Sequence, residues 1–104
     1  MADQRRVVVT GMGAISPVGL TADESWAAVT AGVSGIGPIT RFDATDYETR
    51  FAGEVRGFDP DVVGRKESRR MDRHAQLGVA ASIQARESAG LIDWDGDPTR
   101  VGVL

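Results

Sequence analysis

The chain carries two kinds of hydrophobic pattern. Val7, Val8 and Val9 form an unbroken β-branched run, and Val101, Gly102, Val103 and Leu104 form a second stretch without polar side chains at the far end. A run with no alternating polar residue reads as a strand apolar on both faces, the kind that sits inside a helix-covered parallel sheet. Residues 7–9 and 100–104 are therefore predicted as buried strands. Elsewhere the spacing is helical. Ala22, Trp26, Val29 and Val33 line one face of a predicted helix over about residues 22–31, with Trp26 as its core anchor. Thr21-Ala-Asp-Glu24 matches a capping box, and Gly32 supplies a left-handed stop. A second helix is predicted over about residues 73–89, with Asp72 as N-cap and Gly90 closing it. Its inner stripe is expected to be Ala75, Gly78, Val79, Ser82, Ala85 and Ala89, nearly all small, so that it can lie close against a neighbour.

The segments between are less regular. Residues 34–47 hold Gly35, Gly37 and Pro38 and are predicted to be irregular, with the rings of Phe42 and Tyr47 pinning them to the body. Residues 51–55 are predicted as a short strand. Asp59-Pro60 begins a turn or one helical turn, because proline suits a first helical position. The order strand, glycine loop, helix over residues 5–31 is the opening half of a βαβ unit, and the fold class is α/β. The chain stops inside an apolar strand whose edge would need cover. The expectation is a front piece of a larger protein.

A glycine loop after a strand raises the question of a nucleotide site. Gly11 and Gly13 fit the first two glycines of a dinucleotide fingerprint, but the third falls on Ser16, and Pro17 follows. Proline lacks an amide donor and holds the residue before it extended. The helix then starts near Thr21, too late for its amino end to hold a pyrophosphate beside Gly13. The Gly-Lys-Ser/Thr of a P-loop is absent. The loop is read as a structural turn in which glycine allows positive φ or close backbone approach, and no cofactor is expected.

Composition narrows the chemistry. The chain has 104 residues, enough for one small domain, with 41% hydrophobic residues and a net charge of −3. That balance disfavours nucleic-acid binding. There is no cysteine and one histidine, His74. Disulfides, thiolate metal sites, a cysteine nucleophile and a two-histidine metal site are therefore excluded within these residues. Arg5 and Arg6 precede no signal-peptide apolar region, and no run approaches the ~20 residues that cross a bilayer. The expectation is a cytoplasmic protein without membrane contact. Asp93, Asp95 and Asp97 alternate like the start of a calcium loop, but Gly96 precedes the third aspartate and no closing glutamate follows. They are read as a solvated turn, and no metal is expected. The most charged stretch is residues 65–73, with five basic residues against two acidic ones.

Nine pieces in order carry a family resemblance: Arg5-Arg-Val-Val-Val-Thr-Gly11, Ser16-Pro-Val-Gly19, Ser25-Trp26, Ser34-Gly-Ile36, Phe42-Asp43, Phe51-Ala-Gly53, Arg65-Lys-Glu67, Arg69-Arg-Met-Asp72 and Ser88-Ala-Gly-Leu91. Together they resemble the amino-terminal part of the β-ketoacyl-acyl carrier protein synthases, of the synthase II type of fatty-acid elongation. The ketosynthase subunits of aromatic polyketide systems are similar in this region. The resemblance implies a partial thiolase-like fold, with residues 1–104 as the amino-terminal segment of the first layered α/β half of a homodimeric enzyme. It implies a decarboxylative Claisen condensation. An acyl group passes from acyl carrier protein to a cysteine, and malonyl-carrier protein loses carbon dioxide and attacks the thioester. Two histidines stabilise the developing charge. In the family pattern the cysteine and both histidines lie beyond Leu104, and His74 matches neither, so no catalytic residue is assigned within this chain. Lys66, Arg69 and Arg70 match family positions that contact the acidic carrier protein. A free-standing carrier-binding module without catalysis is the alternative from another class. Cations ahead of a helix N-terminus oppose its dipole, so these residues are not there to stabilise the helix that follows.

Overall fold

Local signals at both ends specify the first helix. The computed structural model describes residues 3–104 and places helices α1 (Ala22–Thr30), α2 (Arg65–Ser68) and α3 (Arg73–Ser88), strands β1 (Ile36–Pro38) and β2 (Phe51–Gly53), and 3₁₀ turns at Pro60–Val63 and Pro98–Arg100. At the start of α1, the Thr21 hydroxyl accepts from the Glu24 N–H at 3.1 Å. The Glu24 carboxylate reaches back to the N–H of Leu20 at 2.8 Å, one residue ahead of the usual capping-box partner. At its end Gly32 takes φ 73°, and the N–H groups of Gly32 and Val33 return to the carbonyls of Val29 and Ala28. Helix α3 closes in the same way: Gly90 takes φ 70°, and Gly90 and Leu91 donate to Glu87 and Arg86, each at 3.0 Å.

Strands β1 and β2 pair antiparallel, with Ile36 opposite Gly53, Gly37 opposite Ala52 and Pro38 opposite Phe51. The short strand expected near residue 51 is present. Strand β1 lies in a stretch predicted to be irregular, where Gly37 and Pro38 masked its pairing. Pro38 is tolerated because it stands at the end of a strand in a two-stranded sheet. Phe42 and Tyr47 do not pin their loop to the body. Both are more than half exposed and meet each other edge to face, ring centroids 5.6 Å apart.

The two predicted buried strands differ most from expectation. Val7 is 96% exposed and Val103 98% exposed, and neither run joins a ladder among the described residues. Arg100 ends a 3₁₀ turn instead of starting a strand. A strand is defined by its neighbour's hydrogen bonds, and neither run meets a neighbouring strand. Trp26, expected to anchor a core, is 70% exposed for the same reason: among the described residues no sheet packs under α1. Among the described residues Ala44 and Ala80 are the only buried apolar side chains. The Cα radius of gyration is 17.8 Å, against about 13 Å for a compact domain of this length.

What packing there is centres on α3. The glycine loop lies directly on it. A Cβ on Gly11 would collide with the backbone of Ala85 and Ala89, and one on Gly13 would collide with the Ala81 carbonyl and the Ala85 amide. Neither glycine has positive φ, so close approach is the reason for glycine at both. Ala85 and Ala89 thus serve the small-residue contact expected of them. Gly78, Val79 and Ser82 instead face solvent, and the inward stripe runs through Gln76, Leu77, Ala80, Ile83 and Gln84.

Candidate functional site

The basic stretch folds into a short, tightly bonded turn. Asp59 accepts from the N–H of Asp61 at 2.9 Å and starts the first 3₁₀ turn. Gly64 then takes φ 101°, a conformation that side chains rarely adopt, and α2 begins. Four residues make one helical turn, too little to persist alone. Ser68 anchors it. That residue is only 4% exposed, and its hydroxyl donates to the Arg65 carbonyl at 3.1 Å and the Asp61 carboxylate at 3.4 Å.

Lys66 lies within α2, Arg69 is its C-cap and Arg70 follows. All three are exposed, and none is in an ion pair within 4.0 Å among the described residues. The turn therefore gathers three free cations on solvent-facing positions. Arg73 behaves differently. Its guanidinium donates to the Val55 carbonyl at 3.0 Å and lies 5.1 Å from the Phe58 ring centroid. One of the five basic residues in this stretch is thus a tether. Asp72 occupies the N-cap of α3 as expected, but its side chain makes no capping bond, and the first helical bond is Gln76 N–H to Asp72 carbonyl at 3.0 Å. His74 is exposed in the first turn of α3.

Sequence reasoning missed Gln76. Its Nε2 donates to the Ser68 carbonyl at 2.8 Å and the Met71 carbonyl at 3.4 Å, the two residues that flank Arg69 and Arg70. A polar residue inside a helix reads as solvent-facing, and only its spacing with Ala80 and Ile83 hints at the inner side. Among the described residues no cluster of histidine and acidic side chains could hold a metal ion, and no helix is long and apolar enough to cross a membrane.

Residues 4–104 match the family described as "Beta-ketoacyl synthase, N-terminal domain". The chain belongs to the β-ketoacyl synthase family. It is 52% identical over 101 residues to the 3-oxoacyl-[acyl-carrier-protein] synthase 2 of Vibrio cholerae serotype O1, covering 96% of this chain and 24% of that protein. It is 48% identical over 103 residues to the enzyme of the same name from Synechocystis, covering 98% and 25%. Among solved structures it superposes on the ishigamide ketosynthase/chain length factor with a TM-score of 0.75 at 39% identity, covering 88% of this chain and 23% of that one. The fold is accordingly a partial α/β arrangement of the thiolase-like kind. The chain spans about a quarter of the length of the relatives it matches. The synthase family is thus shown for nearly every residue, including the turn that carries Lys66, Arg69 and Arg70.

Proposed function

We propose that this chain is the amino-terminal part of a 3-oxoacyl-acyl carrier protein synthase that elongates fatty acids by decarboxylative Claisen condensation. The observation that carries the reading is 52% identity to a synthase 2 across almost the whole chain. In this reading the complete enzyme is a cytoplasmic homodimer. Its cysteine nucleophile and paired histidines come from outside these residues, which contain no cysteine and one histidine. These residues contribute scaffold and a docking surface. Lys66, Arg69 and Arg70 meet the acidic acyl carrier protein, whose charge they attract and orient. Their exposure and their freedom from ion pairs support that role. Charges at a rim act mainly on encounter rate and salt sensitivity.

The test exchanges this chain for the matching 101 residues of the Vibrio cholerae relative. The chimeric synthase should condense acyl and malonyl groups carried on acyl carrier protein. Reversing Lys66 and Arg70 to glutamate should raise KM for the carrier-bound substrate about tenfold, equivalent to about 1.4 kcal/mol, with a smaller effect on kcat. Equal losses on carrier-bound and small carrier-free thioesters would reject the docking role. No condensation by a folded chimera would reject the enzyme and favour a carrier-binding module. A second reading, a ketosynthase subunit of a polyketide system, is supported by the 39% identity to the ishigamide ketosynthase/chain length factor, whose name does not specify an aromatic product. Preference for a polyketide carrier protein over a fatty-acid carrier protein would select it.

A further inference from the structure

The amino-terminal side of the docking turn is anchored by Ser68, whose hydroxyl bonds the Arg65 carbonyl and the Asp61 carboxylate, but that anchor stops short of Arg69 and Arg70. Helix α2 is one turn long, Arg69 and Arg70 lie beyond its last helical residue, and Gly64 at its start adds conformational freedom. The backbone bonds within it are short-range: Ser68 N–H to Gly64, Arg70 N–H to Glu67 and Met71 N–H to Ser68. Among the described residues one side chain outside the turn grips it on both sides of Arg69 and Arg70. The Gln76 carboxamide donates to the Ser68 carbonyl before them and the Met71 carbonyl after them. Gln76 is itself half-buried on the inner stripe of α3, next to the buried Ala80. The long helix thus adds a side-chain link to the backbone on both sides of the two arginines through the Gln76 amide.

We infer that Gln76 is a positioning residue for carrier-protein docking: it bridges the carbonyls of Ser68 and Met71 and fixes the backbone that presents Arg69 and Arg70. This rests on the docking role proposed above and deepens it. A cation presented from a fixed backbone loses less freedom when it binds than one presented from a mobile turn, so pre-organisation appears as affinity. Gln76 touches neither the partner nor the reacting atoms. Its effect passes wholly through the two arginines.

The test is a double-mutant cycle on the full chain, read as the dissociation constant for acyl-loaded acyl carrier protein. Circular dichroism monitors the helix content of each variant. Gln76→Leu removes the bridging donor and should weaken binding about fivefold, the scale of ordering one or two long side chains. Gln76→Asn is too short to span both carbonyls and should give a smaller loss, which supplies the reading if the leucine variant fails to fold. In an Arg69→Ala/Arg70→Ala background, Gln76→Leu should have no further effect, because the groups it positions are gone. Unchanged binding by both single variants would overturn the inference. So would an equal loss in both backgrounds, which marks a general structural role. If Arg69→Ala/Arg70→Ala alone leaves binding unchanged, the docking role itself fails, a result distinct from failure of Gln76 alone.

Discussion

Gln84 donates its side-chain N–H to the carbonyl of Leu20 at 2.6 Å, across 64 residues of sequence. The same carboxamide accepts from the N–H of Ala14 at 3.2 Å. One side chain on α3 therefore satisfies backbone groups at two points of the loop that leads into α1. Replacing it by leucine would leave a part-buried N–H and carbonyl without partners, at a cost of about 1–3 kcal/mol. Gln84→Leu should lower Tm by about 4–8 °C per kcal/mol, as read by thermal unfolding. A melting temperature equal to wild type would mean that water replaces both bonds.

Gly13 tests close approach. A side chain there would enter the Ala81 carbonyl and come within 2.8 Å of the Gln84 Cβ. Two of the atoms in the way are backbone and cannot step aside. Gly13→Val should destabilise by about 1–3 kcal/mol or more, the scale of overpacking. Gly78 is the internal control, because a Cβ there meets nothing within 4 Å. Gly78→Ala lies inside a helix and should be neutral or stabilising, by up to about 1 kcal/mol. Equal destabilisation by the two changes would refute the packing argument.

These contacts show how far the sequence could be read. Helix ends were legible because their determinants are local: Thr21 with Glu24, then Gly32 and Gly90, each act within a few residues. The glycine loop was recognisable as a place for backbone approach, though nothing in it named Ala81, Ala85 and Ala89 as the partners. The inner face of α3 is only partly legible: Ala85 and Ala89 meet the glycine loop as the small-residue stripe predicts, whereas Gln76 and Gln84 point inward because backbone carbonyls wait for their amides. The run Val7 to Val9 predicts a buried strand that the structure does not form, because pairing is a property of a neighbour. The three exposed cations were legible as a charged stretch, but not the division of labour between them and the tethered Arg73.

Exposed apolar surface gives a further expectation. Val7, Val9 and Trp26 are each 70% or more exposed, and Val18, Ala22 and Val29 join Trp26 around one open apolar hollow. Contiguous patches of this kind favour association. The isolated chain should bind an apolar fluorescent dye and sediment as a concentration-dependent mixture. Val8→Lys with Trp26→Lys should reduce both signals. Dye-free, monomeric behaviour of the wild-type chain at high concentration would contradict this.

Glu54 sets an acid limit on the β1–β2 region. Its carboxylate accepts from the Thr40 hydroxyl at 2.7 Å, the Thr40 N–H at 2.9 Å and the Arg41 N–H at 3.1 Å. The Thr40 side-chain bond, followed by the Thr40 backbone bond, holds its pKa below the ordinary glutamate value, with smaller help from the Arg41 N–H and the Arg56 charge. A carboxyl whose folded pKa is depressed stabilises above its unfolded value, about 4.3, and loses that contribution as pH falls through the folded pKa. Amide exchange at Thr40 and Arg41 should therefore be slow above about pH 4.3 and rise as the solution is acidified below it, after correction for intrinsic exchange. Glu54→Gln should flatten this dependence. Persistence of the acid step in that variant would assign it to Asp43, which its own bonds to Thr45 hold below the usual range.

The absence of cysteine sets the last expectation. Condensation through a covalent acyl-enzyme needs a thiolate, and no other side chain matches its nucleophilicity near neutral pH. The chain contains no cysteine, and its one histidine is exposed on α3. Incubated alone with labelled acyl- and malonyl-carrier protein, it should form neither a covalent acyl adduct nor a ketoacyl product. Mass spectrometry of the intact chain reads the first, and product chromatography the second. A stable acyl adduct would point to a hydroxyl or lysine acceptor among these residues and would break the division between scaffold and chemistry. Carrier-protein binding without product would fit the proposed docking role, in which surface cations act on encounter and not on bond-making.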